Sequence, residues 1–62
     1  MLNDELSKYF SDDKNRTATI VRDERILKVV FEDHITNRTF FLYYNSIESA
    51  ENAAEDFVMY ES

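Results

Sequence analysis

The side chains of this sequence that could carry chemistry are one histidine, four tyrosines and several carboxylates. His34 follows Asp33, and such a pair could supply a general base or half of a metal site. Neighbouring residues at the end of a strand usually point to opposite sides, however. We therefore interpret His34 as a solvated turn residue and expect no catalytic residue there.

Three pairs of adjacent carboxylates could bind a hard cation, namely Asp12-Asp13, Asp23-Glu24 and Glu32-Asp33. None has the spacing of a calcium-binding loop, and the chain has no glycine for such a loop. The lack of glycine also excludes phosphate-binding loops and nucleophile elbows, and the lack of cysteine excludes thiolate metal sites. We expect no metal and no cofactor, and we predict that the protein is not an enzyme.

The clearest element around these side chains is an amphipathic helix, predicted over residues 46–60. Its apolar positions recur at helical spacing, while acidic residues occupy the opposite face. Ser46 is the expected N-cap, with Asn45 as the alternative. The apolar stripe, with Phe57 as its large anchor, consists of Ile47, Ala50, Ala54, Phe57 and Val58.

Three antiparallel strands are predicted before this helix, at 18–22, 26–32 and 39–44, within a sheet spanning 17–44. Residues 23–25 are too few for anything but a hairpin, and Asn37 suits a left-handed position in the second turn. Alternation separates the two faces of the sheet most clearly in the second strand. In the third strand both sets are apolar or aromatic, so its pattern is ambiguous, and we assign the set with Phe40 to the face that meets the helix and the core. The residues assigned to that face are Ala18, Ile20, Leu27, Val29, Phe31, Phe40, Leu42 and Tyr44.

The N-terminal segment, residues 1–13, is predicted to form a short helix. Its apolar residues Leu2, Leu6, Tyr9 and Phe10 recur at i, i+4, i+7 and i+8. The predicted fold class is therefore α+β: a three-stranded antiparallel meander backed by a C-terminal amphipathic helix, with a short N-terminal helix. A chain of 62 residues holds one domain of this size.

The strand pattern leaves an apolar surface on the outer face of the sheet, the face that points away from the C-terminal helix. It is larger than a monomer usually exposes, so something is expected to cover it. The N-terminal segment, a second copy of the chain or another protein could do so. The residues predicted to bind this partner are Val21, Ile26, Lys28, Val30, Phe41 and Tyr43.

The net charge of −6 disfavours binding to nucleic acid or to an anionic membrane, because both depend on Lys and Arg. All seven basic residues precede residue 39, so the C-terminal third is acidic. No long apolar run indicates a membrane span or a signal peptide. A cytoplasmic location is the expectation.

Two resemblances bear on function. The β-β-β-α order resembles the arm-type DNA-binding domain of phage integrases and the plant AP2 domain, which read DNA with the open sheet face. That resemblance implies a nucleic-acid-binding role for Arg22, Arg25, Lys28 and Arg38 together with Tyr43.

The run from Phe41 to Met59 resembles small β-meander-plus-helix proteins of tailed phages that infect marine cyanobacteria. This second resemblance covers the last third to half of the chain and includes no catalytic motif. It implies a phage-encoded protein that acts in the host cytoplasm.

The function predicted from the sequence is that of a small protein-interaction module, such as a modulator of a host protein. A homodimer through the outer sheet face is one form of this hypothesis. The alternative is a nucleic-acid-binding module that uses the open sheet face. The acidic balance of the chain favours the protein-binding hypothesis.

Overall fold

The fold is an antiparallel sheet with one helix packed against it, and the computed structural model describes residues 4–59. The strands follow one another in space in the order of the chain, as a meander. The α+β class is confirmed, but the sheet has four strands rather than three. The elements are β1 (Asp4–Phe10), β2 (Arg16–Asp23), β3 (Ile26–Asp33), β4 (Arg38–Tyr44) and α1 (Ile47–Met59).

The predicted N-terminal helix is wrong, because the described part of residues 1–13 forms β1 and a turn. β1 pairs with β2, with a bulge between Glu5 and Ser7. A helix of so few residues has an unfavourable nucleus in water, whereas the edge of β2 offers a partner for the strand's backbone. Leu2, which belonged to the predicted helical stripe, lies outside the described residues.

Each of the three hairpin turns contains one residue with positive φ, although the chain has no glycine. These residues are Lys14, Glu24 and Asn37, with φ between 62° and 63°. The left-handed position predicted for Asn37 is confirmed, and so is the tight hairpin after Asp23. Lys14 and Glu24 have a positive φ angle, which is unfavourable for a residue with a Cβ atom.

The core lies between α1 and the middle of the sheet, chiefly over β2 and β3. Ala50 and Ala54 are fully buried and bring the helix close to the fully buried Ile20 and Val29. Ser46 begins the helix as predicted, because its Oγ accepts a hydrogen bond from the Ser49 N–H at 3.2 Å. The small residues of the helix therefore decide how closely the two layers approach.

The prediction that β4 contributes to the core is only partly right. Phe40 and Leu42 point to the helix side of the sheet, since they pair with the buried Phe31 and Val29. Both nevertheless remain 47–48% exposed. The reason is the position of β4 at the edge of the meander, where α1 does not reach over the whole strand.

Phe57 is also less central than predicted. It is half-buried at the border of the core, with its ring edge-on to Phe31 at 5.0 Å and to Phe40 at 5.9 Å. Arg16 covers it, with the guanidinium carbon 5.5 Å from the ring centroid. Aromatic packing thus extends the core to the inner side of β4.

Candidate protein-interaction surface

The candidate site is the outer face, which we define as the face of the sheet away from α1. Strand pairing places the predicted partner-binding residues on this face in two adjacent rows. Val21 lies beside Lys28, which lies beside Tyr43, and Val30 lies beside Phe41. Ile26 follows at the start of β3, opposite Asp23. The sheet therefore brings all six predicted residues together on one side.

The centre of the outer face is an ordered cluster of Lys28, Phe41 and Tyr43. The Lys28 Nζ atom lies 4.7 Å from the centroid of the Phe41 ring. The rings of Phe41 and Tyr43 meet edge to face at 5.6 Å. Both contacts are attractive, and they restrict the rotamers of three side chains before any partner arrives. Such pre-ordering lowers the entropy that binding must overcome.

The exposure of these residues differs between the middle of the sheet and its edge. Val21, Ile26, Lys28 and Val30 are half-buried by their neighbours, whereas Phe41 and Tyr43 are about 50% exposed. β1 is an edge strand of the sheet itself, and α1 packs on the other face. No element of residues 4–59 therefore lies over the outer face. The N-terminal segment, as far as it is described, does not provide the expected cover.

Sequence reasoning missed two exposed apolar residues on the other side of β4. Phe40 and Leu42 alternate with Phe41 and Tyr43, so four consecutive side chains of this strand are about half exposed. The signal was present in the sequence, because a meander places its last strand at an edge with one neighbour only. A helix of 13 residues packed on the middle of the sheet leaves that edge uncovered.

The two edges of the sheet differ in character. β1 contains a bulge and the charged residues Glu5 and Lys8. Bulges and charges are devices by which natural sheets prevent edge pairing. β4 pairs with β3 over all seven residues without a register shift, and its only charged residue is Arg38 at its start. β4 therefore lacks the protection that β1 has.

The basic residues of the nucleic-acid alternative are divided between the two faces. Arg22 pairs with the buried Leu27, and Arg38 pairs with Asp33, whose carboxylate lies 3.8 Å from Arg16 on the helix side. Of the four candidates, Lys28 is the one that stands beside Tyr43 on the outer face. The structure does not gather a basic patch around the aromatic residues.

His34 and Asp33 make separate contacts, as expected for a turn. His34 Nε2 lies 3.2 Å from the Thr17 hydroxyl, while Asp33 Oδ1 accepts backbone N–H groups of Ile35 and Thr36. Within residues 4–59, no group of three or more acidic or histidine side chains is arranged to hold a metal ion.

Local structure shifts the pKa values of Tyr9 and Asp13. Burial raises the pKa of Tyr9, and the nearby carboxylates of Glu51 and Glu55 add to the effect. The Asn15 N–H and the Ser11 hydroxyl donate to Asp13 and hold its pKa below the ordinary value. The Asp13 contacts close the turn between β1 and β2.

A shallow cleft of about 590 Å³ lies on the helix side, at the end of the sheet where β2 turns into β3. Its apolar wall includes Leu6, Leu27 and Ile47, and Arg22 and Arg25 line its rim. The Ser46 side chain already caps the adjacent helix end.

Comparison with protein-family models, with curated proteins and with solved structures gives no match to this chain. The one helix in the described part of the chain is too short and too polar to cross a membrane. The geometry of the outer face and of β4 thus provides the grounds for a functional proposal.

Proposed function

We propose that this chain is a small, non-enzymatic protein-interaction module that binds a protein partner through the outer face. The observation that carries the proposal is the uncovered aromatic pair Phe41 and Tyr43, ordered by Lys28 and bordered by Val21 and Val30. Aromatic residues are enriched at the centres of interfaces, where they supply much apolar area at little entropic cost. The phage resemblance would make the partner a host protein of the cytoplasm.

Charge supports a protein rather than a nucleic acid as the partner. Three of the basic residues, Arg16, Arg22 and Arg38, belong to the helix side. The helix adds three exposed carboxylates, those of Glu48, Glu55 and Asp56, and no basic residue. Few phosphates could be neutralised from the outer face, so counterion release would contribute little to binding. A nucleic-acid module remains the second candidate, on the single ground that Lys28 stands beside Phe41 and Tyr43.

Affinity capture with matched variants tests this proposal. Immobilised wild-type protein, Val21→Lys and Met59→Lys are incubated with lysate of the cell that expresses the protein, after nuclease treatment. Val21 lies on the outer face, whereas Met59 is 74% exposed on the helix. Met59→Lys is therefore the control, because it adds the same charge as Val21→Lys at a site away from the outer face. We expect a protein that the wild type and Met59→Lys retain and that Val21→Lys loses. Equal retention by all three would refute binding at the outer face.

A further inference from the structure

We propose that a second copy of this chain pairs with β4, so that two four-stranded sheets join edge to edge into one continuous antiparallel sheet. The first ground is the exposure of four consecutive residues on both sides of β4. A partner on the outer face alone would cover Phe41 and Tyr43 but leave Phe40 and Leu42 in water. A strand that pairs with the edge of β4 places side chains beside the outer-face residues and beside the helix-side residues at the same time. This follows because the residues of the added strand also alternate between the two faces.

The second ground is that β4 is self-complementary when it pairs with itself about Phe41. The strand runs from Arg38 to Tyr44, so Phe41 is its middle residue. A two-fold axis there pairs all seven residues, with Phe41 opposite Phe41 of the second copy and Phe40 opposite Leu42 of the second copy. Each pair combines residues of the same face, as antiparallel pairing requires. Phe40, Phe41 and Leu42 each face an apolar or aromatic residue in this register, while Tyr43 lies opposite Thr39 of the second copy.

The third ground is charge. In this register Arg38 lies opposite Tyr44 of the second copy, three residues before that copy's helix begins. The first turn of the helix contains Glu48, which is exposed. Arg38 therefore approaches the end of the second copy that carries Glu48, and the symmetry repeats this arrangement at both ends of the paired strands. β1 offers no such match, since its charges and its bulge oppose pairing.

The area that the pairing would bury is that of a small but specific interface. Half of the roughly 200 Å² of a large aromatic side chain, from the three residues Phe40, Phe41 and Tyr43, gives about 300 Å² per copy, to which Leu42 and the backbone add. The total then approaches the roughly 1,000 Å² at the lower end of specific interfaces. We expect a reversible dimer in the micromolar range rather than a permanent one. This inference does not depend on the proposed function, because it is argued from the free edge of β4 and from Phe40 and Leu42 on the helix side. Phe41 and Tyr43 would contribute to both surfaces, whereas Val21, two strands away, would stay uncovered in each copy.

Sedimentation equilibrium over a dilution series tests the pairing on the full chain. We expect the mass to rise with concentration from 7.4 kDa to twice that value. Leu42→Lys, on the helix side of the edge, should raise the dissociation constant by at least about tenfold. Val21→Lys, on the outer face and two strands from the edge, should leave it within about twofold of the wild type. A dimer formed by stacked outer faces would show the opposite pattern.

A charge exchange at the proposed two-fold axis tests the register. Phe41→Lys and Phe41→Glu should each be monomeric, because like charges would lie directly opposite one another. An equimolar mixture of the two should form a heterodimer that weakens with added salt. Circular dichroism and amide exchange show that the variants are folded, and the dimer should slow the exchange of amides along β4. A monomeric wild type at every soluble concentration, or a mixture that stays monomeric while both variants are folded, would overturn the proposal.

Discussion

At the scale of single residues, the hairpin turns of this chain have positive φ angles at residues other than glycine, the residue that usually occupies such positions. The β2–β3 turn has two residues, and of these Glu24 alone has a positive φ, as in a type II′ turn. The first position of that turn type usually holds glycine, because a Cβ atom there costs about 1–2 kcal/mol. Glu24 thus contributes strain that a single substitution can remove.

We expect Glu24→Gly to stabilise the domain by about 0.5–1 kcal/mol, after subtraction of the greater entropy that glycine gives the unfolded chain. For a domain of this size the melting temperature should rise by about 4 °C. Asn37→Gly is the matched control, and it should change stability little because Asn tolerates the left-handed region. Thermal denaturation followed by circular dichroism gives the comparison. An unchanged or lower melting temperature for Glu24→Gly would contradict the argument.

At the scale of elements, the helix and the edge strand share one aromatic cluster. Phe57 of α1 contacts Phe31 of β3, and Phe31 stacks on Phe40 of β4 at 4.9 Å. This aromatic cluster connects β4 to the core, although α1 does not reach over the whole of that strand. It also holds Phe40 in place at the edge, where the second copy is proposed to pair.

Phe57→Ala is expected to destabilise the domain by about 2 kcal/mol, less than the 3–5 kcal/mol typical of a fully buried phenylalanine. The lower value follows from the half-buried position of the ring. Met59→Ala, at a residue 74% exposed, should have almost no effect. Urea denaturation at a concentration where the protein is monomeric measures both. If the two variants unfold at the same midpoint as the wild type, the aromatic cluster does not stabilise the fold.

At the scale of the whole molecule, the distribution of charge decides which large ligands can approach. The chain has 13 acidic and seven basic residues, and the described basic residues are spread over both sides of the sheet. Any long polyanion that reached Lys28 would also approach the carboxylate-rich surface. The long-range electrostatic interaction is therefore repulsive.

We expect no appreciable binding of duplex DNA, single-stranded DNA or RNA at physiological salt. Fluorescence anisotropy with labelled oligonucleotides, at low and at physiological salt, measures this directly. The nucleic-acid alternative would rank first if an oligonucleotide bound with a dissociation constant in the micromolar range or lower. This binding would have to weaken steeply with added salt and be abolished by Arg22→Ala and Lys28→Ala.

The sequence by itself determined the helix, its N-cap, the β2–β3 hairpin and the two alternating sets of residues in β3. In β4 the pattern separated two sets but left open which of them faces the core. These features depend on local patterns: a period of 3.6 or 2, a capping serine, and a connection too short for anything but a turn. All six predicted residues of the outer face do lie together, because alternation and antiparallel order suffice to place them.

Only the tertiary structure decided the conformation of the N-terminal segment and the exposure of the side chains of β4. The spacing of Leu6, Tyr9 and Phe10 fits a short helix as well as a bulged strand, and the free edge of β2 settles the choice by supplying backbone partners. Likewise, Phe40 and Leu42 have the pattern of core residues, but their burial depends on how far the helix reaches across the sheet. Reach and edge position are properties of the assembled layers, so no local pattern contains them.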